Sequence, residues 1–191
     1  THILDMMGYF LGKPEWCDAS VTVEGRPVEK SDIREATEPL GPIVGTEISA
    51  RYQFAKGIPG YFSSVKNPDG NQNRWRMEIY GTMGVVSIRM GPIPDVRLSR
   101  NASWVPGDTS MGWEKIPGPD TGPSRHPKVG YYAPIVDDLI ESIEDDREPF
   151  TSVQANREAM EMIQAVFECA STRERVYFPL KERVHPLKRW A

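Results

Sequence analysis

The chain has 191 residues, with 23 lysines and arginines against 27 aspartates and glutamates for a formal net charge of −4. That length suits one sizeable domain, which can bury roughly 70% of its unfolded surface without disulfides or metals. Balanced charge argues against a dedicated nucleic-acid binder, which carries a basic patch or stripe. No apolar run approaches the roughly 18 residues of a membrane span. Cys17 and Cys169 are far apart, with no CxxC and no histidine at ligand spacing. Zinc and a disulfide framework are therefore not expected, and two scattered cysteines suit a reducing cytoplasm.

The residues from Thr1 to Leu11 carry Ile3, Leu4, Met7, Phe10 and Leu11 as a helical stripe, which Gly12-Lys13-Pro14 ends. There is no initiator Met and no signal-peptide pattern, and the chain opens inside this helix, as a piece of a longer protein would. Strand-like alternation follows. Cys17, Ala19, Val21 and Val23 oppose Asp18, Ser20 and Thr22; Ile48, Ala50, Tyr52 and Phe54 oppose Glu47, Ser49, Arg51 and Gln53. Further on, Trp75, Met77 and Ile79 oppose Arg74, Arg76 and Glu78, and Val86, Ile88 and Met90 oppose Ser87 and Arg89. Strict period two predicts antiparallel strands with one buried and one polar face, joined by hairpin turns at Asp69-Gly70 and Thr82-Met83-Gly84.

Residues 91–130 hold seven prolines and six glycines, with Trp104 and Trp113 among them. This predicts a long loop containing a short strand at Asp95–Ser99, either functional or a meandering sheet edge. A helix then has Ile135, Val136, Leu139, Ile140 and Ile143 on one side and a solvated acidic run on the other. A second helix, capped near Thr151-Ser152, runs to about Arg173 with Ala159, Met160, Ile163, Val166, Phe167 and Ala170 inward. A strand at Arg175–Phe178 closes the pattern. Strands followed by helices predict a single α+β domain over residues 1–191: an open, mostly antiparallel sheet with helices on one face.

Few motifs carry chemistry. Gly81-Thr82-Met83-Gly84 lacks the G-x-G start of a dinucleotide fingerprint and joins two predicted strands, so it reads as a hairpin. Lys13-Pro14 reads as a turn, and His126 and His185 as surface residues. His2 and Asp5 stand three residues apart on a helix, where a carboxylate beside an imidazole can orient the ring or raise its pKa. The alternative for this pair is a structural or capping role.

Several segments in order resemble a known family: Thr1-His2-Ile3-Leu4-Asp5, Tyr9-Phe10-Leu11-Gly12, Glu78-Ile79-Tyr80-Gly81-Thr82-Met83-Gly84, and the stretch from Tyr132-Ala133-Pro134 to Ser142-Ile143. Arg147-Glu148-Pro149, the Ser152 helix and Pro179-Leu180-Lys181-Glu182-Arg183 complete the series. Together they resemble the C-terminal domain of the Gfo/Idh/MocA oxidoreductases, the glucose-fructose oxidoreductase and inositol dehydrogenase superfamily. The resemblance implies a large open antiparallel sheet fused behind an N-terminal Rossmann domain that binds NAD or NADP and supplies a catalytic lysine. That domain is expected to be absent from this chain, which by itself would bind no dinucleotide and be inactive.

In the whole protein the resemblance implies that a sugar or cyclitol hydroxyl carbon gives hydride to nicotinamide while a base takes the hydroxyl proton. His2 matches the family's histidine and Asp5 its following aspartate. His2 is therefore the implied catalytic residue, and Asp5, Tyr61, Arg97 and Tyr132 are the candidate substrate contacts. The last three are chosen as polar or aromatic residues near predicted element ends; ordinary packing or solvation is the alternative for each. A polar sheet face with Arg51, Arg74, Arg76, Arg89, Glu47 and Glu78 fits a homo-oligomer contact through ion pairs. Two other readings stay open: a non-catalytic open-sheet assembly or ligand-binding module, and an NAD-dependent glycosidase of the same superfamily.

Overall fold

The computed structural model describes residues 2–37, 41–66, 75–90, 95–101, 112–118 and 127–190. In chain order the elements are α1 (His2–Leu11), β1 (Pro14–Val23), β2 (Arg26–Pro27), β3 (Arg34–Glu35), β4 (Pro42–Ile43), β5 (Glu47–Phe54) and β6 (Pro59–Val65). There follow β7 (Trp75–Gly81), β8 (Gly84–Met90), β9 (Asp95–Ser99), β10 (Glu114–Ile116), α2 (Pro127–Glu144), α3 (Val153–Thr172), β11 (Val176–Tyr177) and α4 (Pro186–Trp190). The fold is α+β with open antiparallel sheets. The chain divides into two compact units, one of Thr1–Asn67 with Glu148–Ala191 and one of Pro68–Arg147. Among the described residues, no helix is long and apolar enough to cross a membrane.

In the first unit the strand order is β11-β1-β5-β6, with β2 also paired to β1 and all pairs antiparallel. β3 and β4 form a separate short ladder. The expected alternation on β1 and β5 is what places the core. Cys17, Val21, Ala50, Tyr52 and Phe54 are buried on one face, beneath α3, which packs on β1 and contributes Met162, Ala165, Val166 and Cys169. Burying each large apolar side chain contributes about 1.5–3 kcal/mol. Tyr52 keeps its buried hydroxyl satisfied by donating to the Met162 carbonyl at 2.9 Å, which avoids a desolvation cost of about 1–3 kcal/mol.

α3 starts where expected: the Ser152 hydroxyl accepts from the Ala155 N–H at 3.2 Å, and Arg173 ends the helix in a left-handed conformation. Its buried stripe is slightly rotated from the expected one. Ala159, Val166, Phe167 and Ala170 are inward as expected, but Met162, Ala165 and Cys169 are buried while Met160 and Ile163 are only half-buried. α1 lies on the same side of the sheet, packed on α3, with Leu4 and Met7 buried. Gly60 permits this approach, because a Cβ there would stand 2.4 Å from Met7 Cε and 2.8 Å from Phe54 Cε2.

The second unit holds the meander β10-β9-β8-β7. The strands expected in one sheet thus fall into two, because alternation marks a strand's faces without naming its neighbours. Thr82-Met83 forms the β7–β8 turn, and β9 covers the expected residues. β10 adds an edge strand from the proline- and glycine-rich segment. Asp69-Gly70 and Trp104 lie outside the described residues.

α2 departs most from expectation. It starts at Pro127, well before Ile135, and its aliphatic stripe stays at the surface: Ile135, Val136, Leu139, Ile140 and Ile143 are all exposed, Ile143 at 72%. Periodicity identifies residues that share a helix face, but it does not supply an element to cover them. Within this unit Arg147 pairs with Asp138 at 2.9 Å, and the buried Ser142 hydroxyl donates to the Asp138 carbonyl at 2.6 Å.

Candidate functional site

His2 and Asp5 lie one turn apart on the exposed side of α1, while Leu4 and Met7 hold the opposite side in the core. The helix is stopped at Gly12, which has φ 78° and donates to the Gly8 carbonyl at 2.8 Å. Just beyond, Lys13 Nζ meets Glu158 Oε1 at 2.8 Å, tying the turn to α3. α1 is thereby fixed to the sheet through Met7 and to α3 through the turn. An imidazole on such a helix can take a proton from a hydroxyl within hydrogen-bond reach, and the carboxylate one turn away can accept from substrate hydroxyls.

Of the other candidates, only Tyr61 belongs to the same unit as this pair. Tyr61 follows inward Gly60 on β6, so its side chain stands on the opposite face of the sheet from α1, 72% exposed. Arg97 belongs to β9 in the second unit, where its Nε meets Asp95 Oδ2 at 2.9 Å. Tyr132 is exposed near the start of α2 in the same unit. Of the charged residues expected on one polar face, Arg51 and Glu47 are on the first unit's sheet and Arg76, Arg89 and Glu78 on the second's, while Arg74 lies outside the described residues. Glu78 accepts from the Tyr80 hydroxyl at 2.7 Å, and this raises the Tyr80 pKa.

Two groupings had no forecast from the sequence. On the open face of the first sheet, Arg175 and Arg51 both stack on Trp16, with their Cζ atoms 4.0 and 5.2 Å from the ring centroid. Tyr177 stands in register beside Trp16. The available signal was Trp16 itself, two residues before Asp18 on the polar side of an alternating strand. Elsewhere, Tyr9 packs edge-on against Phe10 and Phe150 at 5.2 and 5.9 Å, an exposed aromatic group where the end of α1 meets the approach to α3.

Cys17, Cys169 and His185 have structural roles. Cys17 and Cys169 are free and buried, and Cys169 Sγ contacts the Cys17 carbonyl at 3.5 Å. Its hydrogen bond with Cys169 and its burial push the Cys17 thiol far up, so it is no nucleophile at neutral pH. His185, expected on the surface, is half-buried: it stacks on Phe167 at 5.7 Å and its Nδ1 accepts from the Leu187 N–H. Burial, then the nearby Lys188, lowers its pKa. His126 lies outside the described residues.

The Gly81–Gly84 turn does not fit the pyrophosphate of a dinucleotide. Gly81 and Gly84 close an antiparallel hairpin, with no helix following to receive a pyrophosphate. A Cβ on Gly84 would stand 2.1 Å from the Ser99 carbonyl oxygen, so the neighbouring strand accounts for that glycine. Among the described residues, no group of three or more His, Cys, Asp or Glu side chains could hold a metal ion.

No family model matches the chain, and no curated protein matches it. Solved structures do. An NAD-binding oxidoreductase from Klebsiella pneumoniae superimposes with a TM-score of 0.67 at 15% identity, over 95% of this chain and 49% of that one. Levoglucosan dehydrogenase in complex with NADH matches with a TM-score of 0.66 at 19% identity, over 93% of this chain and 48% of that one. Aldose-aldose oxidoreductase from Caulobacter crescentus, complexed with glycerol, matches with a TM-score of 0.60 at 18% identity, over 93% and 45%. The chain therefore spans about half the length of the structures it matches. Its fold is the one that forms about half of each of these oxidoreductases.

Proposed function

We propose that this chain is the substrate-binding and oligomerisation half of an oxidoreductase acting on a hydroxyl or carbonyl carbon of a sugar or cyclitol. The observation that carries this reading is the shared fold, which covers nearly all of this chain and about half of enzymes that include a levoglucosan dehydrogenase and an aldose-aldose oxidoreductase. NAD or NADP belongs to a separate Rossmann domain in this reading, since the glycine turn of this chain is a hairpin. The anchored first turn of α1 supplies the chemistry: His2 takes or returns the proton of the reacting hydroxyl, and Asp5 binds and orients the substrate. Arg97 and Tyr132 are further substrate contacts. Tyr61, on the far face of its sheet, is better suited to a contact between copies.

The test is His2→Ala in the protein joined to its dinucleotide domain. A lost proton acceptor lowers kcat by about 10²–10⁴-fold, with dinucleotide affinity held within about twofold. Unchanged turnover removes His2 from the reaction.

A further inference from the structure

Three exposed side chains of α1 form one stripe that runs past His2 and Asp5 to Tyr9. At about 100° per residue, His2 and Tyr9 project within about 20° of each other and Asp5 within about 60° of both. All three stand opposite the buried Leu4 and Met7. At about 1.5 Å per residue, Tyr9 lies about 6 Å beyond Asp5 and about 10 Å beyond His2 along the helix. The stripe thus continues one turn past Asp5 and ends in an aromatic ring.

That ring is held in place yet open. Phe10 and Phe150 meet it edge-on, with centroids at 5.2 and 5.9 Å and planes 81° and 70° from its own. Tyr9 is nevertheless 66% exposed, and Phe10 and Phe150 are exposed beside it. Three touching aromatic side chains from two chain segments differ from the single apolar residues scattered over any protein surface; a contiguous exposed patch marks a binding surface.

Gly8 points to the same place. It lies in the interior of α1, where glycine costs helix stability, one turn beyond Asp5 and next to Tyr9. Gly60 is small because Met7 and Phe54 occupy the space a Cβ needs, and Gly12 because the helix stops there at positive φ. Neither reason applies to Gly8, where a Cβ would meet nothing within 4 Å apart from its chain neighbours and its own helix. The missing side chain leaves bare helix surface bordered by the Asp5 carboxylate and the Tyr9 ring. A pyranose ring has the matching chemistry: its C–H groups make an apolar face that packs on an aromatic ring, and its hydroxyls make a polar edge that donates to a carboxylate. One helical turn, about 5.4 Å, is also comparable to the spacing of two adjoining pyranose rings. A ring on Tyr9 therefore leaves its neighbour at Asp5 and His2.

We propose that Tyr9, buttressed by Phe10 and Phe150 and approached over Gly8, binds a second ring of the substrate, so that the substrate is a two-ring glycoside whose reacting ring lies at His2 and Asp5. The inference rests on the roles given to His2 and Asp5 above and adds a substrate class to them.

Titration of the isotope-labelled whole chain followed by NMR tests it, with cellobiose, maltose and lactose as two-ring probes and methyl glucoside and methyl galactoside as one-ring probes. The expected result is that at least one two-ring probe shifts the Gly8 and Tyr9 amides and binds at least about tenfold tighter than its one-ring counterpart. Tyr9→Ala abolishes that advantage while one-ring affinity stays within about twofold, and Tyr9→Trp restores it. Gly8→Leu, which favours the helix, also abolishes the advantage by covering the bare surface. Asp5→Asn weakens both kinds of probe. Two-ring probes that do not bind, or bind no tighter than one-ring probes, overturn the subsite and leave the roles of His2 and Asp5 standing. An advantage that survives Tyr9→Ala or Gly8→Leu does the same. A Tyr9-dependent advantage together with unchanged turnover of His2→Ala upholds the subsite and removes His2 from the reaction.

Discussion

The two sheets are written in the same period-two code and end in different environments. On β1 and β5 alternation is converted into a core: Tyr52 and Phe54 are fully buried, and α1 and α3 cover that face. On β7, Met77 and Ile79 are only half-buried and Trp75 is exposed. On β8, Val86 and Ile88 are half-buried, while polar Ser87 is the buried residue. Asp95 Oδ1 and Ser99 Oγ are buried without a hydrogen-bond partner among the described residues, and the stripe of α2 is exposed. Alternation makes a face available, and helices packed on that face make it a core.

The contrast can be broken by truncating one residue in each sheet. Phe54→Ala empties a filled site and is expected to cost about 3–5 kcal/mol. Ile88→Ala, half-buried, is expected to cost about 1 kcal/mol. Denaturant midpoints compare them, and equal losses would erase the distinction. A smaller effect tests how closely α1 sits on the first sheet. Gly60→Ala forces a methyl group against Met7 and Phe54, an overpacking cost of about 1–3 kcal/mol. No loss of stability would mean that α1 is not held there.

The smallest expected effect is a pH dependence from His185 in the first unit. Its pKa is lowered by burial foremost, with Lys188 adding to the shift and Glu35 opposing it. A histidine depressed in the folded state favours the neutral ring. Its contribution is full above the unfolded pKa of about 6.5 and is lost as pH falls below that value, because the unfolded chain binds the proton more readily. Protonation would also remove the Nδ1 acceptor used by the Leu187 N–H. Unfolding midpoints should fall more steeply between neutral and mildly acid pH in the parent chain than in His185→Gln. Identical slopes would show that the ring titrates as it does in solvent.

Much of the fold was legible because it depends on near neighbours. The β1 and β5 strands, the Ser152 cap, the Gly12 stop, the Thr82-Met83 turn and the Asp95–Ser99 strand follow from side-chain period and turn chemistry within a few residues. Gln53 escaped that logic. It occupies a polar position in the pattern, yet it is buried because its amide donates to the Phe54 and Ile58 carbonyls. At the candidate site, the placement of His2 and Asp5 on α1 was legible, because helical spacing alone sets two side chains one turn apart. Tyr61 shows the limit: alternation tells that it opposes Gly60, but which face carries α1 is decided by packing.

The sequence by itself determined element types, their caps and turns, and the faces along each strand, because those depend on φ/ψ preference and spacing over a few residues. Tertiary structure decided which strands pair, how Arg51 and Arg175 come to share one indole, and that Glu47 and Arg51 remain unpaired within the described chain. These are contacts between residues far apart in sequence, and their geometry exists only once the sheet has closed on its helices.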